Sequence, residues 1–205
     1  MIAILDYGMG NLRSVEKALE KVGADAARTS DLGAASEADG LILPGVGAFP
    51  EAMRRIRERG MDDVIRERAG GGVPVLGICL GMQLLFDGSS ELGGAEGLGL
   101  IGGDVSVLDA GGAKVPHIGW APVLWAHHSS LTTGIESGDP FYFVHTFVPR
   151  PADDDVLGTA TYGERFACAV ERNNVFGFQF HPEKSSGAGL RLLENFAAIC
   201  VPIAA

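Results

Sequence analysis

Three side chains in this sequence have the chemical types of a cysteine-nucleophile acyl-transfer site. Cys79 follows one apolar run of the chain, and His181 and Glu183 follow another apolar run far downstream. A thiolate attacks a carbonyl carbon, an imidazole moves the protons, and a carboxylate holds that imidazole in one tautomer. We therefore predict nucleophilic catalysis by Cys79, with His181 as its base and Glu183 as the partner of the imidazole.

The glycines around Cys79 indicate a sharp turn between a strand and a helix. Gly-x-Cys-x-Gly is the cysteine counterpart of the nucleophile elbow, in which small flanking residues let the backbone pass close by. Gly77 and Gly81 meet this need, and the apolar residues 82–86 predict a buried helix. At the start of that helix, unpaired N–H groups favour the thiolate, and we expect the Leu80 N–H to face the anion that forms.

The segment after the second apolar run predicts how His181 meets its carboxylate. A proline follows His181, which favours extended geometry at the histidine. Residues two apart in an extended chain project to the same side. We therefore expect Glu183 to lie beside His181 and to leave its other ring nitrogen for the thiol.

A glycine-rich loop follows another buried strand and is a candidate for the second part of the site. Gly45 and Gly47 leave backbone N–H groups that a ligand can approach closely. Next to a nucleophile elbow, we expect Gly45, Val46 and Gly47 to form an oxyanion loop. Its donors and the Leu80 N–H stabilise a tetrahedral intermediate, each by about 3 kcal/mol.

The other cysteines, glycines and histidines predict no metal and no cofactor. Cys168 and Cys200 lie in a strand-like and a helix-like segment and fit inert core roles. A dinucleotide fingerprint after the first strand is excluded, because Arg13 stands where the motif needs glycine. The five histidines have no zinc spacing, and the pair at 127–128 predicts an exposed loop.

Composition limits the classes of partner. The chain has 205 residues, 46% of them hydrophobic, and a formal net charge of −10. That charge disfavours nucleic-acid binding, and no apolar run approaches the roughly 20 residues of a membrane span. The apolar start of the chain is too short for a secretory signal, and three scattered cysteines do not suggest a disulfide framework. We expect a cytoplasmic protein.

The pattern of elements predicts an α/β fold with a mixed, mostly parallel sheet and helices on both faces. Short apolar strands alternate with helices in the first half, which favours a parallel sheet covered on both sides. Residues 88–103 are glycine-rich and are predicted to be loop, and shorter strands, one of them at 141–148, follow. Asn11 is predicted to cap the first helix. We expect a single domain over residues 1–205.

Six longer blocks of the sequence carry a pattern that covers nearly the whole chain. They are DYGMGN at 6–11, LPGVGAF at 43–49, GICLGMQ at 77–83, KVPHIGW at 114–120, YFVHTF at 142–147 and GFQFHPEKS at 177–185. Together these blocks resemble the class I, triad-type glutamine amidotransferases, and more narrowly the glutaminase subunits of imidazole glycerol phosphate synthase. The resemblance implies the flavodoxin-like form of this fold. One departure is Ala121, where that family usually has asparagine.

The resemblance implies a substrate, a partner and further site residues. Cys79 attacks the carboxamide of L-glutamine, ammonia leaves from a thioester, and water releases glutamate. The ammonia passes to a cyclase subunit, a (β/α)₈ barrel that forms a heterodimer with this subunit in histidine biosynthesis. Residues implied in holding glutamine are Gln83, Gly47, Thr146 and Phe147, and those implied in docking the cyclase are Asn11, Trp120, Tyr142 and Lys184.

Two other functions remain open at this point. The first alternative is a glutaminase subunit of another synthase, for anthranilate or pyridoxal phosphate. The second is a non-catalytic regulatory subunit that keeps the fold. The intact set of Cys79, His181 and Glu183 disfavours the second alternative.

Overall fold

A computed structural model describes residues 1–201 of the chain. The strands are β1 (Ile2–Leu5), β2 (Ala26–Thr29), β3 (Gly40–Gly45), β4 (Val75–Cys79), β5 (Gly88–Ser89), β6 (Ala95–Glu96), β7 (Gly103–Val107), β8 (His117–Pro122), β9 (Leu124–Trp125), β10 (Pro140–His145), β11 (Phe147–Pro151), β12 (Val156–Tyr162), β13 (Glu164–Arg172) and β14 (Val175–Phe178). The α-helices are α1 (Leu12–Lys21), α2 (Leu32–Glu37), α3 (Phe49–Glu58), α4 (Met61–Gly70), α5 (Leu80–Leu84) and α6 (Ser186–Cys200).

The central sheet has eight strands in the order β2-β1-β3-β4-β14-β13-β12-β9. The strands from β2 to β14 pair in parallel, and those from β14 to β9 pair antiparallel. Two smaller sheets, β10-β8 and β11-β7-β5-β6, complete the fold. The predicted mixed sheet is confirmed, with its antiparallel part built by the second half of the chain.

Side chains of the parallel strands alternate between two buried cores, one on each face of the sheet. In β1, Ile2 and Ile4 pack into the core that α1 and α6 cover. Ala3 and Leu5 pack into the opposite core, which α3 and α4 cover. Alternate residues of a strand point to opposite faces, so a continuous apolar strand is buried on both sides, as predicted. Across residues 1–201, no helix is long and apolar enough to cross a membrane.

Three predictions about local elements are wrong. Asn11 precedes α1, but within residues 1–201 its side chain makes no capping hydrogen bond, because the cap backbone is not in the extended conformation. The glycine-rich segment 88–103 contains β5 and β6, which extend the sheet of β7. The predicted strand at 141–148 is two strands, because the chain leaves its partner β8 at His145 and pairs with β7 from Phe147.

The centre of the large sheet brings the two halves of the predicted site together. Strands β4 and β14 are parallel neighbours, with Gly77 opposite Gly177 and Ile78 opposite Phe178. Both strands therefore end at the same edge, β4 at Cys79 and β14 just before the segment that leads to His181. Ligands of parallel sheets collect beyond this carboxyl edge.

Candidate active site

Cys79 occupies a strained turn between β4 and α5. Its backbone has φ 55° and ψ −112°, a conformation that costs a non-glycine residue about 1–3 kcal/mol. A Cβ at Gly81 would lie 1.7 Å from the Leu43 carbonyl oxygen, and a Cβ at Gly77 would lie 2.5 Å from that of Gly81. The elbow therefore requires glycine at both flanking positions, as predicted. The helix α5 is shorter than expected and ends at Leu84, although residues up to 86 are buried.

His181 and Glu183 are in contact, but the predicted reason for the contact is wrong. His181 Nδ1 lies 2.8 Å from Glu183 Oε1, and both side chains are almost fully buried. Strand β14 ends at Phe178, and Pro182–Lys184 form a short 3₁₀ helix instead of a continued strand. This turn brings Glu183 back to the imidazole, so that the Nδ1–H donates to the carboxylate and Nε2 remains for the thiol.

His181 is held in the charged form at neutral pH. Burial lowers the pKa of His181, but hydrogen bonds and charge interactions with Cys79 and Glu183 outweigh burial and raise the pKa to about 9. The imidazolium is therefore available to stabilise a thiolate on Cys79 and to give a proton to a leaving group.

A cavity of about 330 Å³ brings most of the predicted substrate residues together in front of Cys79 and His181. Gly45 is the exception, since it lies behind the cavity wall, where it pairs with Cys79 at the end of β3. Glu183 lies behind His181 and also does not line the cavity. The predicted residues that line the cavity are Val46, Gly47, Cys79, Leu80, Gln83, Thr146, Phe147, His181 and Lys184.

Tyr7 supports the predicted oxyanion loop, although no pattern in the sequence marks it as a site residue. Its hydroxyl donates to the Pro44 carbonyl at 2.7 Å, and its side chain is fully buried. A Cβ at Gly45 would lie 2.8 Å from the same hydroxyl and 2.9 Å from the Gly81 nitrogen. Tyr7 therefore contacts the loop, and Gly45 is packed between the Tyr7 hydroxyl and the elbow. Burial and the nearby Cys79 raise the pKa of Tyr7, so the phenol stays protonated.

Glu91 is a second residue at the site that was not predicted from the sequence, and it lines the cavity. It is the only carboxylate among the described residues that line the cavity. Its Oε2 accepts a hydrogen bond from the Phe49 backbone nitrogen at 2.8 Å, which holds it at the start of α3. It lies in the glycine-rich segment that was predicted to be loop, where a single carboxylate carries no pattern that could mark it.

The four residues implied in partner docking lie on strands β8 and β10, at the start of α1 and in the turn after His181. Trp120 and Tyr142 pair across β8 and β10, with ring centroids 5.9 Å apart, and half of the Trp120 surface is exposed. Lys184 is exposed and also lines the cavity. Asn11 is half-buried at the start of α1, and this helix packs against the turn that carries Lys184.

The other cysteines and the surface histidines have the structural roles that the sequence predicts. Burial raises the pKa of the Cys168 thiol, and it raises that of Cys200 to about 12. Neither residue lines the cavity. His127 and His128 are exposed between β9 and the next turn. Cys79 is therefore the one cysteine of this chain that the cavity makes accessible to a substrate.

Curated relatives match the chain over almost their full length. It is 51% identical to the imidazole glycerol phosphate synthase subunit HisH of Moorella thermoacetica over 199 residues, which cover 97% of this chain and 94% of the relative. The subunit HisH of Aquifex aeolicus is 51% identical over 195 residues, with 94% of each chain covered. That of Rhodopirellula baltica is 49% identical over 206 residues, with 100% of each covered.

Solved structures share the fold at lower sequence identity. A structure described as a glutamine amidotransferase superposes with a TM-score of 0.76 at 23% identity, covering 97% of this chain and 98% of the other. The PurLQS structure from Thermotoga maritima gives a TM-score of 0.72 at 20% identity, covering 95% and 96%. The model of the family "Glutamine amidotransferase class-I" matches residues 3–200. The chain therefore belongs to the class-I glutamine amidotransferases, and within them to the family of the HisH subunits of imidazole glycerol phosphate synthase.

Proposed function

We propose that this chain is the glutaminase subunit of an imidazole glycerol phosphate synthase. It hydrolyses L-glutamine to glutamate and ammonia through a thioester on Cys79. The observation that carries the proposal is one cavity that is lined by both Cys79 and His181, with His181 Nδ1 held 2.8 Å from Glu183 Oε1. Only a fold that joins β4 and β14 brings these residues together, since they are far apart in the chain.

The first half of the reaction forms the thioester. The Cys79 thiolate attacks the carboxamide carbon of glutamine, and the carbonyl oxygen takes the negative charge. Backbone N–H groups of Leu80 and of the loop residues Val46 and Gly47, which line the cavity, stabilise that oxyanion. The His181 imidazolium then gives its proton to the amide nitrogen, which leaves as ammonia. The raised pKa of His181, about 9, keeps this proton present at neutral pH.

The second half of the reaction releases glutamate. Neutral His181 takes a proton from a water molecule, whose oxygen attacks the thioester carbon. The C–S bond breaks, glutamate leaves, and the thiolate and the imidazolium are restored. Glu183 keeps the imidazole in the tautomer that both halves need and stabilises its charged form.

The polar groups of the cavity match the parts of glutamine that do not react. Glu91 offers the negative charge that an α-ammonium group requires. Gln83 donates from Nε2 to the Phe147 carbonyl at 3.0 Å, so its Oε1 is the atom left to accept from a substrate. The site for glutamine is completed by other residues that line the cavity, Gly47, Thr146 and Phe147.

The cyclase subunit is the partner that the chemistry of the product requires. Ammonia in water at neutral pH is mostly protonated and is then not nucleophilic, so a useful glutaminase passes it directly to the acceptor enzyme.

We define the docking patch as Ile118, Trp120, Tyr142 and Lys184. Ile118 is 60% exposed and Trp120 is 51% exposed, and they stand two residues apart on β8, so their exposed apolar surfaces lie on one side of the strand. A heterodimer through this patch, which extends towards Asn11, places the cyclase next to the cavity.

Replacing the nucleophile tests the proposed chemistry. Cys79→Ala in the complex with the cyclase should abolish glutamine-dependent synthesis of imidazole glycerol phosphate and keep synthesis from added ammonia. Cys200→Ala is the matched control and should keep both, because Cys200 lies outside the cavity. Equal loss of both activities in Cys79→Ala would contradict the proposed role of this subunit.

Testing purified partners separates the synthase assignments. Each cyclase or synthase subunit, for imidazole glycerol phosphate, anthranilate or pyridoxal phosphate synthesis, is mixed with this chain and glutamine. We expect product only with the cyclase, since the curated relatives are subunits of that synthase. Product with another synthase and none with the cyclase would overturn the assignment.

The location and the domain organisation are part of the same proposal. All three cysteines are free thiols, and a working thiolate suits a reducing compartment such as the cytoplasm. A single glutamine amidotransferase domain over residues 1–205 agrees with the family match over residues 3–200. The complex as a whole combines hydrolysis in this subunit with the cyclase's lyase chemistry.

A further inference from the structure

Buried amides connect the Cys79 sulfur to Gln83 and Phe147, which also line the cavity. Gln179 is fully buried, and its Nε2 lies 3.8 Å from Cys79 Sγ. Gln83 Nε2 lies 2.9 Å from Gln179 Oε1 and 3.0 Å from the Phe147 carbonyl oxygen. The nucleophile and the proposed glutamine-binding residue Gln83 are therefore joined through a single side chain, that of Gln179.

Two buried histidines extend this series of hydrogen bonds beyond Phe147. His145 Nδ1 lies 3.1 Å from the Phe147 carbonyl oxygen, and His117 Nδ1 lies 3.0 Å from His145 Nε2. A carbonyl oxygen only accepts, so His145 carries its hydrogen on Nδ1. Burial is the main cause that lowers the pKa of His145, to about 3, and His145 is therefore neutral. His117 must then donate to His145 Nε2.

The His117 ring is held in place by aromatic neighbours. It stacks on Tyr162 at a centroid distance of 4.1 Å and on Phe143 at 5.0 Å, with interplanar angles of 17° and 21°. A ring between two stacked neighbours cannot turn freely, so its Nδ1 donor keeps its direction. His117, the last residue in this series of hydrogen bonds, is therefore fixed by packing.

This arrangement determines which way each amide faces. The Phe147 oxygen accepts from Gln83 and His145, which uses both of its lone pairs. If the Gln83 amide turned over, its oxygen would face the oxygens of Phe147 and Gln179. If Gln179 turned over, its oxygen would face the sulfur. Only one orientation satisfies all donors and acceptors, and in it Gln179 donates to Cys79.

The thiol has a different partner when it is protonated. Cys79 Sγ lies 3.7 Å from the Val144 carbonyl oxygen, which can accept from an S–H but repels a thiolate. The amide of Gln179 can donate only to the sulfur's lone pairs, which are strongest acceptors in the thiolate. Deprotonation therefore exchanges a contact with Val144 for a stronger one with Gln179.

We propose that Gln179 is a positioning residue for the glutaminase reaction, which stabilises the Cys79 thiolate and orients Gln83 by one hydrogen bond to each. The His117–His145 pair sets the direction of these bonds from the far end. The inference rests on the proposed function, since it assumes that Cys79 is the nucleophile. Gln179 is absent from the predicted site residues because it precedes His181 in a segment that was assigned to a buried strand.

Alkylation of Cys79 by iodoacetamide, followed between about pH 5 and 10, tests the first bond directly. Gln179→Glu keeps the shape but turns a donor into an acceptor, so the pH midpoint of alkylation should rise by about one unit or more. Gln179→Met removes both bonds and should raise it by a similar amount. Cys79→Ala measures the background from Cys168 and Cys200.

Glutamine hydrolysis in the complex with the cyclase tests the second bond. Both Gln179 variants should lower kcat/KM at least about tenfold, since they affect the nucleophile and Gln83 together. His117→Phe keeps the stacked ring but removes the donor, so KM for glutamine should rise about threefold, and the alkylation midpoint should rise by less than in the Gln179 variants. Far-UV and near-UV circular dichroism show whether each variant folds.

The outcomes distinguish this proposal from the proposed function. Alkylation midpoints and kcat/KM equal to those of the parent chain in folded Gln179 variants would overturn the positioning role. If neither Gln179 variant folds, an unchanged KM together with an unchanged alkylation midpoint in His117→Phe overturns it instead. A parent complex that hydrolyses no glutamine would refute the proposed function, whereas the alkylation profile would still report the contact between Gln179 and Cys79.

Discussion

At the scale of the residue, the properties of Cys79 depend on side chains that are remote in sequence. Burial by itself would lower the pKa of His181 and leave the imidazole neutral. Hydrogen bonds and charge interactions with Cys79 and Glu183 outweigh this effect and raise the pKa. His145 is equally buried but has no carboxylate beside it, and its pKa falls to about 3. Of these two histidines in one cavity, His181 is therefore charged and His145 is neutral, so only His181 is able to act as an acid at neutral pH.

The raised pKa of His181 predicts the alkaline limit of activity. A proton bound with a pKa of about 9 is present below that pH and is lost as the pH rises through it. The kcat/KM for glutamine should therefore fall above about pH 9. Glu183→Gln removes one charge that raises the pKa, so the limb should move to lower pH by about one unit. Coincident alkaline limbs for both proteins, measured in the complex, would contradict this assignment.

Glu91 should contribute to binding more than to chemistry. Glu91→Gln keeps the hydrogen bond from Phe49 but loses the charge that we assign to the substrate's ammonium group. KM for glutamine should rise about tenfold with little change in kcat, as expected for loss of a charged hydrogen bond. Steady-state kinetics in the complex provide the measurement. A fall in kcat at constant KM would show that Glu91 acts in the chemical step instead.

At the scale of the element, the elbow illustrates how much one atom matters. The Leu43 carbonyl of β3 and the turn after β4 approach so closely that only hydrogen fits at Gly81. Gly81→Ala should therefore lower the free energy of unfolding by about 4 kcal/mol or more, or prevent folding. Gly70 ends α4 with nothing within 4 Å of an added Cβ. Gly70→Ala should be neutral or slightly stabilising, by up to about 1 kcal/mol.

Urea denaturation of both variants provides the comparison for the elbow. Similar midpoints for Gly81→Ala and Gly70→Ala would show that β3 and the elbow can move apart at little cost. We expect instead that the difference between the two alanine variants isolates the close approach, because both substitutions add the same methyl group.

At the scale of the whole molecule, the docking patch lies next to the cavity. Substitutions in the patch should therefore weaken binding of the cyclase and, with it, glutamine hydrolysis in the complex. Trp120→Ala removes the largest exposed apolar side chain of the patch, and Kd for the cyclase should rise about thirtyfold. Leu32→Ala is the matched control, because Leu32 is also an exposed apolar residue but lies on α2, near the opposite edge strand β2.

Titration calorimetry with the purified cyclase measures the loss of affinity, and the rate of glutamine hydrolysis measures the loss of activity. Unchanged affinity in Trp120→Ala, or an equal loss in Leu32→Ala, would place the interface elsewhere. Glutamine hydrolysis at saturating cyclase should recover most of the activity of the parent complex, since Trp120 does not line the cavity.

Much of the site was determined by the sequence. The glycines around Cys79, the apolar runs before it and before His181, and the alternation of strands and helices predict the elbow and the sheet, because these patterns are local. The family resemblance added Gln83, Thr146 and Phe147, which do line the cavity. Their catalytic and binding roles, like those of the triad, stay predictions until the variants are measured.

The tertiary structure alone decided the contacts that join distant segments. Tyr7, Glu91 and Gln179 reach the site from the loop after β1, from a glycine-rich segment and from the segment just after β14. No local pattern marks them, because a hydrogen bond between residues far apart in sequence depends on how the strands are ordered. The same holds for Glu183, whose contact with His181 was predicted from an extended strand but is made by a 3₁₀ turn. Sequence thus determined which groups can react, and the order of the strands determined which groups meet.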